Sequence, residues 1–374
     1  MKFILKEKAN TYFNKTSYIA FYMIQLKNLI KTNAMNSKTI DYINICLLFI
    51  SFLVAIYLPF ELFLFSYAVL GPLHYLTEIN WLYDKKYFIK SKSKGYIIFL
   101  ILAIVISVYP FMKYLKLNDI ENLEGVIDLL ISQKYIILLS SFIFSVCLMY
   151  FTKLKHLLLA FIFSVLFSIS CNLFIPKLLL LLGIFLPTLI HVYLFTLLFM
   201  IFGLLKQKSK PGLISVLIFI AAPLIIIFLD IKPATYLISD FTKDTYSGSG
   251  FLPMNKILTS IFGDVDMSSF DLLAPIAVKI QIFIAFAYTY HYLNWFSKTS
   301  TIGWKNSLTN KRTKYIIILW LSAIGLYLYD YFTGLKALLF LSILHVILEF
   351  PLNVITIKEI GLVGIKKKLN INSK

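Results

Sequence analysis

Ten stretches of this chain are apolar for long enough to cross about 30 Å of hydrocarbon, and they dictate its fold class. They fall at about 42–59, 62–82, 95–112, 135–151, 157–175, 178–204, 212–229, 271–296, 315–332 and 336–355. A water-soluble domain must cover its surface with polar groups. With 59% hydrophobic and only 14% charged residues, this chain cannot. The expected fold is therefore all-α: a polytopic transmembrane helical bundle of about ten spans, its lipid-facing side chains solvated by the bilayer.

The charges test that count. Cytoplasmic loops collect Lys and Arg. With the N-terminus inside, 27 of the 36 cations fall in inside segments and 8 in outside ones, Lys279 lying within a span. Both termini are thus expected in the cytoplasm. Residues 1–41 form an N-terminal segment in which 10–33, mixing aromatics and Lys, lie along the interface. Residues 42–355 form one transmembrane domain, and 356–374 a basic cytoplasmic tail. The segment 230–270, with SGSG at 247–250, is the longest external loop, and a solvated connection is favoured over a lid. A net charge of +18 with a single Arg (Arg312) excludes an Arg-rich nucleic-acid surface. The cations suit topology and anionic lipid instead. Cys46, Cys147 and Cys171 lie in apolar runs as small hydrophobes, and no thiolate zinc spacing occurs. Met1 to Leu5 is too short for a signal-peptide core. The Ile, Lys, Asn, Phe and Tyr-rich texture suggests an AT-rich bacterial genome. The expected location is the bacterial inner (cytoplasmic) membrane, multi-pass, with the oligomeric state unspecified.

Five histidines carry most of the chemical information. His156 sits at a loop edge beside Lys153 and Lys155, and packing explains it. His74, His191, His291 and His345 fall inside even-numbered spans, which all run in one direction. At about 3.6 residues per turn, they lie roughly one and a half to four turns from the cytoplasmic end, so all four can meet at one depth. A polar group in hydrocarbon is costly without a partner. One metal ion satisfies four imidazoles at once, since neutral imidazole ligates iron, copper and zinc. His74-x-x-x-Glu78 and His345-x-x-x-Glu349 each place a carboxylate one turn on, on the same face. Each Glu is positioned to ligate, or to accept a hydrogen bond from a ligand His. Two other readings stay open: a proton or substrate relay, and unconnected interhelical hydrogen bonds. Tyr75, Tyr193, Tyr288, Tyr292 and Trp295 surround the His positions and are candidates to line a slot for a flat apolar substrate entering from the membrane.

A polytopic protein with four intramembrane histidines and many aromatics resembles the Brp/Blh family of membrane-embedded β-carotene dioxygenases. The resemblance rests on architecture and on His74, His191, His291 and His345. It implies an Fe(II) site, dioxygenase activity and a carotenoid or other polyene substrate. This chain lacks a paired H-x-x-x-H and carries H-x-x-x-E twice. Three functions follow as expectations: a non-haem iron oxygenase acting on a lipophilic substrate, a proton-coupled transporter using the His/Glu pairs, or an accessory subunit of a membrane complex.

Overall fold

The computed structural model describes residues 37–89, 96–115, 121–236, 238–263 and 270–371. The interfacial segment expected at 10–33 lies outside these residues. Among them the chain is helical throughout, with no strand. The helices are α1 (Ser37–Tyr57), α2 (Pro59–Asp84), α3 (Tyr96–Tyr114), α4 (Glu121–Tyr150), α5 (Leu154–Phe174), α6 (Pro176–Gln207), α7 (Lys210–Phe228), α8 (Asp240–Gly248), α9 (Phe251–Phe262), α10 (Pro275–Ser297), α11 (Asn310–Tyr329) and α12 (Tyr331–Ile371).

Eight of these helices are long and apolar enough to cross a membrane: α1, α2, α4, α5, α6, α7, α10 and α12. The other two expected spans, at 95–112 and 315–332, are present as α3 and α11 but fall short of that standard. Among the described residues the apolar stretch of α3 is Tyr96–Val108, shorter than the others. α11 spends its first turn on Lys311, Arg312 and Lys314. The protein is a multi-pass membrane protein with eight such helices among the described residues.

Prolines set the breaks. Pro59 opens α2 directly after α1, and Pro176 opens α6 after α5; a proline at the first helical position loses no hydrogen bond. α10 is the hub. Buried residues make up 78% of its apolar window, against 22% for α5, which faces lipid on most sides. In lipid, apolar burial drives helices together only weakly, so close packing and hydrogen bonds carry the association. Between α4 and α5 the contact is small: the Ser140 hydroxyl donates to the Ser164 carbonyl at 3.5 Å, with Ala160 and Ser168 buried alongside.

Three charged groups are anchored. Lys279 donates to the Ile227 carbonyl at 2.7 Å, capping the end of α7. Asp84 pairs with Arg312 at 2.7 Å, joining the end of α2 to the start of α11. Asp330 accepts from the Thr333 amide at 2.7 Å and caps α12. That bond holds the exposed Asp330 carboxyl below its ordinary range.

The segment expected as a solvated loop at 230–270 folds into α8 and α9 and docks onto the bundle. Phe251, Met254, Asn255, Leu258 and Thr259 of α9 are buried, a helical face at the i, i+3, i+4, i+7, i+8 spacing. A buried polar chain holds this cap. Tyr246 donates to Gln281 Oε1 at 2.6 Å, and Gln281 Nε2 donates to the Pro59 carbonyl at 3.1 Å. Asn255 Nδ2 donates to the Ala277 carbonyl at 3.2 Å, and Asn255 Oδ1 accepts from the Thr259 hydroxyl at 3.1 Å. The segment expected as a tail is likewise helical: α12 continues without a break to Ile371. Replacing Gln281 by Leu leaves the buried Tyr246 hydroxyl proton without an acceptor and removes the side-chain donor to the Pro59 carbonyl. Gln281→Leu is expected to lower stability by about 1–3 kcal/mol, read as a drop in the thermal unfolding midpoint in detergent. An unchanged midpoint would mean that apolar packing alone holds α8 and α9.

Candidate metal centre

Two of the four histidine-bearing helices are irregular where they carry the ligand. α2 widens to a π-helical turn over Ser66–Leu70, where the Gly71 amide donates five residues back to the Ser66 carbonyl. Pro72 follows, and His74 comes half a turn later. α6 is π-helical over Leu186–Phe195, a stretch that opens with Pro187 and contains His191. A π turn inserts a residue and re-aims the side chains around it, and such turns cluster at functional sites. Proline removes an amide from the regular ladder and favours the break. Gly71 also lets α10 approach: a Cβ there would meet Tyr292 Oη at 3.3 Å.

The four histidines meet. His74, His191, His291 and His345 are 1%, 2%, 8% and 5% exposed, so bulk water solvates none of them. Their rings form a closed quadrilateral. Centroid separations around it are 4.6 Å (His74–His291), 4.8 Å (His291–His191), 5.0 Å (His191–His345) and 5.3 Å (His345–His74). Nitrogen meets nitrogen at two corners: His74 Nε2 is 3.0 Å from His291 Nε2, and His191 Nε2 is 3.2 Å from His345 Nε2.

Hydrogen bonding assigns the tautomers. The Thr196 hydroxyl gives its only proton to the Val192 carbonyl at 2.8 Å. It must therefore accept from His291 Nδ1–H, 2.7 Å away, leaving the lone pair on His291 Nε2. His345 Nδ1 faces the Leu341 carbonyl at 3.4 Å, which also puts the lone pair on Nε2. His191 is caught between two acceptors. Its Nδ1 is 3.0 Å from Glu349 Oε2 while its Nε2 faces the His345 lone pair. With Glu349 ionised, a proton on either nitrogen leaves two acceptors in contact at the other. A cation between the Nε2 atoms, with the proton on Nδ1 toward Glu349, resolves the conflict. The spacing agrees: with bonds of about 2.0–2.1 Å, two neighbouring ligands on one ion stand about 3.0–3.4 Å apart.

The carboxylates adjoin this ring. Glu78 Oε2 is 3.0 Å from His74 Nε2, the expected pair one turn apart. Glu349 does not serve its own i−4 neighbour His345; it crosses to His191 on α6. The Asn353 side-chain amide donates to Glu349 Oε2 at 3.3 Å. Neither His–Glu contact has hydrogen-bond alignment. His74 Nδ1, His191 Nδ1 and both Glu78 oxygens are buried without a hydrogen-bond partner among the described residues. Buried donors and acceptors are rarely left so, and the donor set fits a borderline transition metal. His74, His191 and His345 form a buried cluster able to hold a metal ion, their ligand atoms within 4.8 Å of one another.

A cavity of about 390 Å³ adjoins the cluster. His74, His291, Glu78 and Glu349 line its inner end, and Trp81, Trp295, Phe199 and Leu352 its walls. Asp41, Asn44, Lys206, Lys298 and Thr301 line it where α1 begins and α6 and α10 end. Its lining thus runs from the cluster to the end of the bundle that also carries Lys85, Lys208 and Arg312. Trp295 lies on this path and donates to Thr77 Oγ1 at 3.0 Å. Tyr75, Tyr193, Tyr288 and Tyr292 do not line it. Tyr292 packs on the His74 ring at 5.1 Å and Tyr75 on His345 at 5.8 Å. Tyr288 packs against Phe63 at 5.2 Å. Tyr193 turns to α7, stacking on Phe219 and donating to its carbonyl at 3.0 Å.

Sequence reasoning missed Thr196 and Asn353. The second had a signal, since His345, Glu349 and Asn353 repeat every four residues along one face of α12. Thr196 follows His191 at a spacing that touches the site only through the π-helical geometry of α6. No known protein family, no curated protein and no solved structure matches the chain. If Thr196 fixes the His291 tautomer, Thr196→Val should weaken metal affinity about 10–100-fold with little change in thermal stability, as measured by chelator competition. Wild-type affinity in that variant would reduce Thr196 to a packing residue.

Proposed function

We propose that this protein is a membrane-embedded metalloenzyme, a non-haem iron oxygenase acting on a lipophilic substrate that carries a polar end. The tautomer conflict at His191 carries the reading, because a cation among the Nε2 atoms relieves it with no rearrangement of the helices. His74, His191, His291 and His345 would bind Fe(II). Four neutral nitrogens suit the ferrous state. A bound iron supplies one-electron chemistry toward dioxygen, which the side chains here cannot perform. The protein's own part is to hold and orient. Thr196 and Leu341 fix two imidazole tautomers, Glu349 places a negative charge beside the third, and the buried ring keeps bulk water from the reacting centre. Trp81, Trp295 and Phe199 offer apolar walls to a hydrocarbon chain. The resemblance to the membrane β-carotene dioxygenases supports a polyene, while the polar mouth supports a substrate with a polar head.

A second reading is proton-coupled transport. A doubly protonated His191 would satisfy His345 and Glu349 at once, so the same conflict can be resolved by a proton. That version expects transport driven by the proton gradient and no bound metal. Metal analysis separates the two. Protein expressed in iron-rich medium should retain roughly one equivalent of transition metal or more, and His345→Ala should lose most of it. Less than about a tenth of an equivalent in the wild type would overturn the metalloenzyme reading.

The cavity mouth gives an independent handle on the substrate. Lys298, just past the end of α10, is pulled down by burial to about 8, with Asp41 opposing the shift. Its ammonium is charged below that value and neutral above it. Binding of an anionic amphiphile such as a fatty acid should therefore weaken as pH rises through about 8, and Lys298→Gln should flatten the profile. A wild-type profile flat across that range would remove Lys298 from head-group recognition.

A further inference from the structure

The donors do not converge on one point; they fall into two couples. His74 and His291 meet at 3.0 Å through their Nε2 atoms, and His191 and His345 at 3.2 Å. Centre to centre the rings are almost evenly spaced, 4.6 and 5.0 Å within the couples and 4.8 and 5.3 Å across them, so it is the Nε2 atoms that pair. The ligand atoms of His74, from one couple, and of His191 and His345, from the other, lie within 4.8 Å of one another. Even two ligands on opposite sides of one ion stand only about 4.2 Å apart with bonds of about 2.1 Å.

The carboxylates repeat the pairing. Glu78 stands 3.0 Å from the first couple, at His74 Nε2, and Glu349 stands 3.0 Å from the second, at His191 Nδ1. They come from different helices, yet both line the inner end of the same cavity. Both are buried, at 1% and 3% exposure, and both Glu78 oxygens lack a hydrogen-bond partner among the described residues. Buried carboxylates with no basic partner need a compensating charge, which a cation held by the neighbouring imidazoles supplies. No Lys or Arg forms an ion pair with either one among the described residues.

We infer that the cluster is a dinuclear metal centre, with His74 and His291 on one divalent ion, His191 and His345 on the other, and the carboxylates flanking the pair, Glu78 at His74 Nε2 and Glu349 at His191 Nδ1. The inference rests on the metalloenzyme reading above and sharpens it. Paired ions of such centres stand about 3.5–4 Å apart, which fits within the 4.8 Å that bounds the ligand atoms of His74, His191 and His345. The adjoining cavity reaches His74, His291, Glu78 and Glu349, so the carboxylate side is where a substrate atom can arrive. Two divalent ions against two carboxylates leave the site positive. It therefore favours an anionic or readily deprotonated substrate group, in keeping with a lipophilic molecule that has a polar end.

The test uses the full chain in detergent, stripped with chelator and reloaded anaerobically with Fe(II), and in parallel with Mn(II). Elemental analysis gives the stoichiometry, and electron paramagnetic resonance of the Mn(II) form reports whether the ions are coupled. We expect about two equivalents per chain and a coupled-pair signal. Glu78→Gln and Glu349→Gln should each fall to about one equivalent and lose the coupling, while Glu78→Asp should restore part of it. About one equivalent with an isolated-ion signal in the wild type would overturn the second ion and leave the single-metal reading standing. No bound metal at all would overturn both. The wild-type measurement decides by itself should a variant not fold.

Discussion

A polar atom inside the hydrocarbon of a membrane must find its partner within the protein, because no water is there to serve it. The described residues obey this almost everywhere. Gln281, Tyr246, Asn255 and Thr259 form a closed chain, and Lys279 reaches a carbonyl at the end of α7. The side-chain atoms left without a hydrogen-bond partner are not scattered. Apart from Ser51 Oγ, they belong to His74, Glu78, His191, to Tyr75 and Asn353, which touch the cluster, or to Trp81 and Asp41, which line its cavity. A fold that satisfies its distant polar groups so fully has no general reason to leave these open. Their concentration at one place is what a site built for a ligand predicts.

The backbone points to the same place. Regular helices would aim His74 and His191 by the 3.6-residue period alone. Instead α2 and α6 each depart from α-helical geometry at or just before the ligand, in π-helical stretches next to Pro72 and Pro187. Such stretches forfeit regular hydrogen bonds and survive where surrounding packing holds them. Here α10 does so. It is the most buried of the spanning helices, Thr289 Oγ1 contacts Ser66 Oγ at 2.8 Å, and Tyr292 packs against Gly71. The hub that carries His291 also braces the irregular turn before His74.

These features differ in how far the sequence reveals them. Apolar run length exposes the spanning helices because it is a one-dimensional property of the chain. Histidine scarcity exposes the cluster because four of five imidazoles fall at compatible depths. The partner of Glu349 was hidden, since the i+4 spacing to His345 is a fact about one helix and the contact to His191 depends on the rotation of another. The fold of 230–270 was legible in principle. The α9 face repeats at helical spacing, but Gly248, Gly250 and nearby polar residues mask it. The direction of the cavity was not legible at all, because it arises where the ends of α1, α6 and α10 meet.

The same packing weighs between catalysis and transport. A rocking transporter must separate two groups of helices around its site while each group stays intact. Here the four imidazoles come from α2, α6, α10 and α12, and every ring touches two others in a closed quadrilateral. Any hinge dividing these four helices into two groups breaks at least two of those contacts. It also separates Glu349 from His191 whenever α12 and α6 part. An enzyme asks for the opposite property: ligands from several rigid elements held at fixed spacing, with one route of access. A cavity that leads along the bundle to a polar, Lys-bearing mouth supplies that route, so the geometry leans toward a fixed centre visited by a substrate rather than a gate that passes one through.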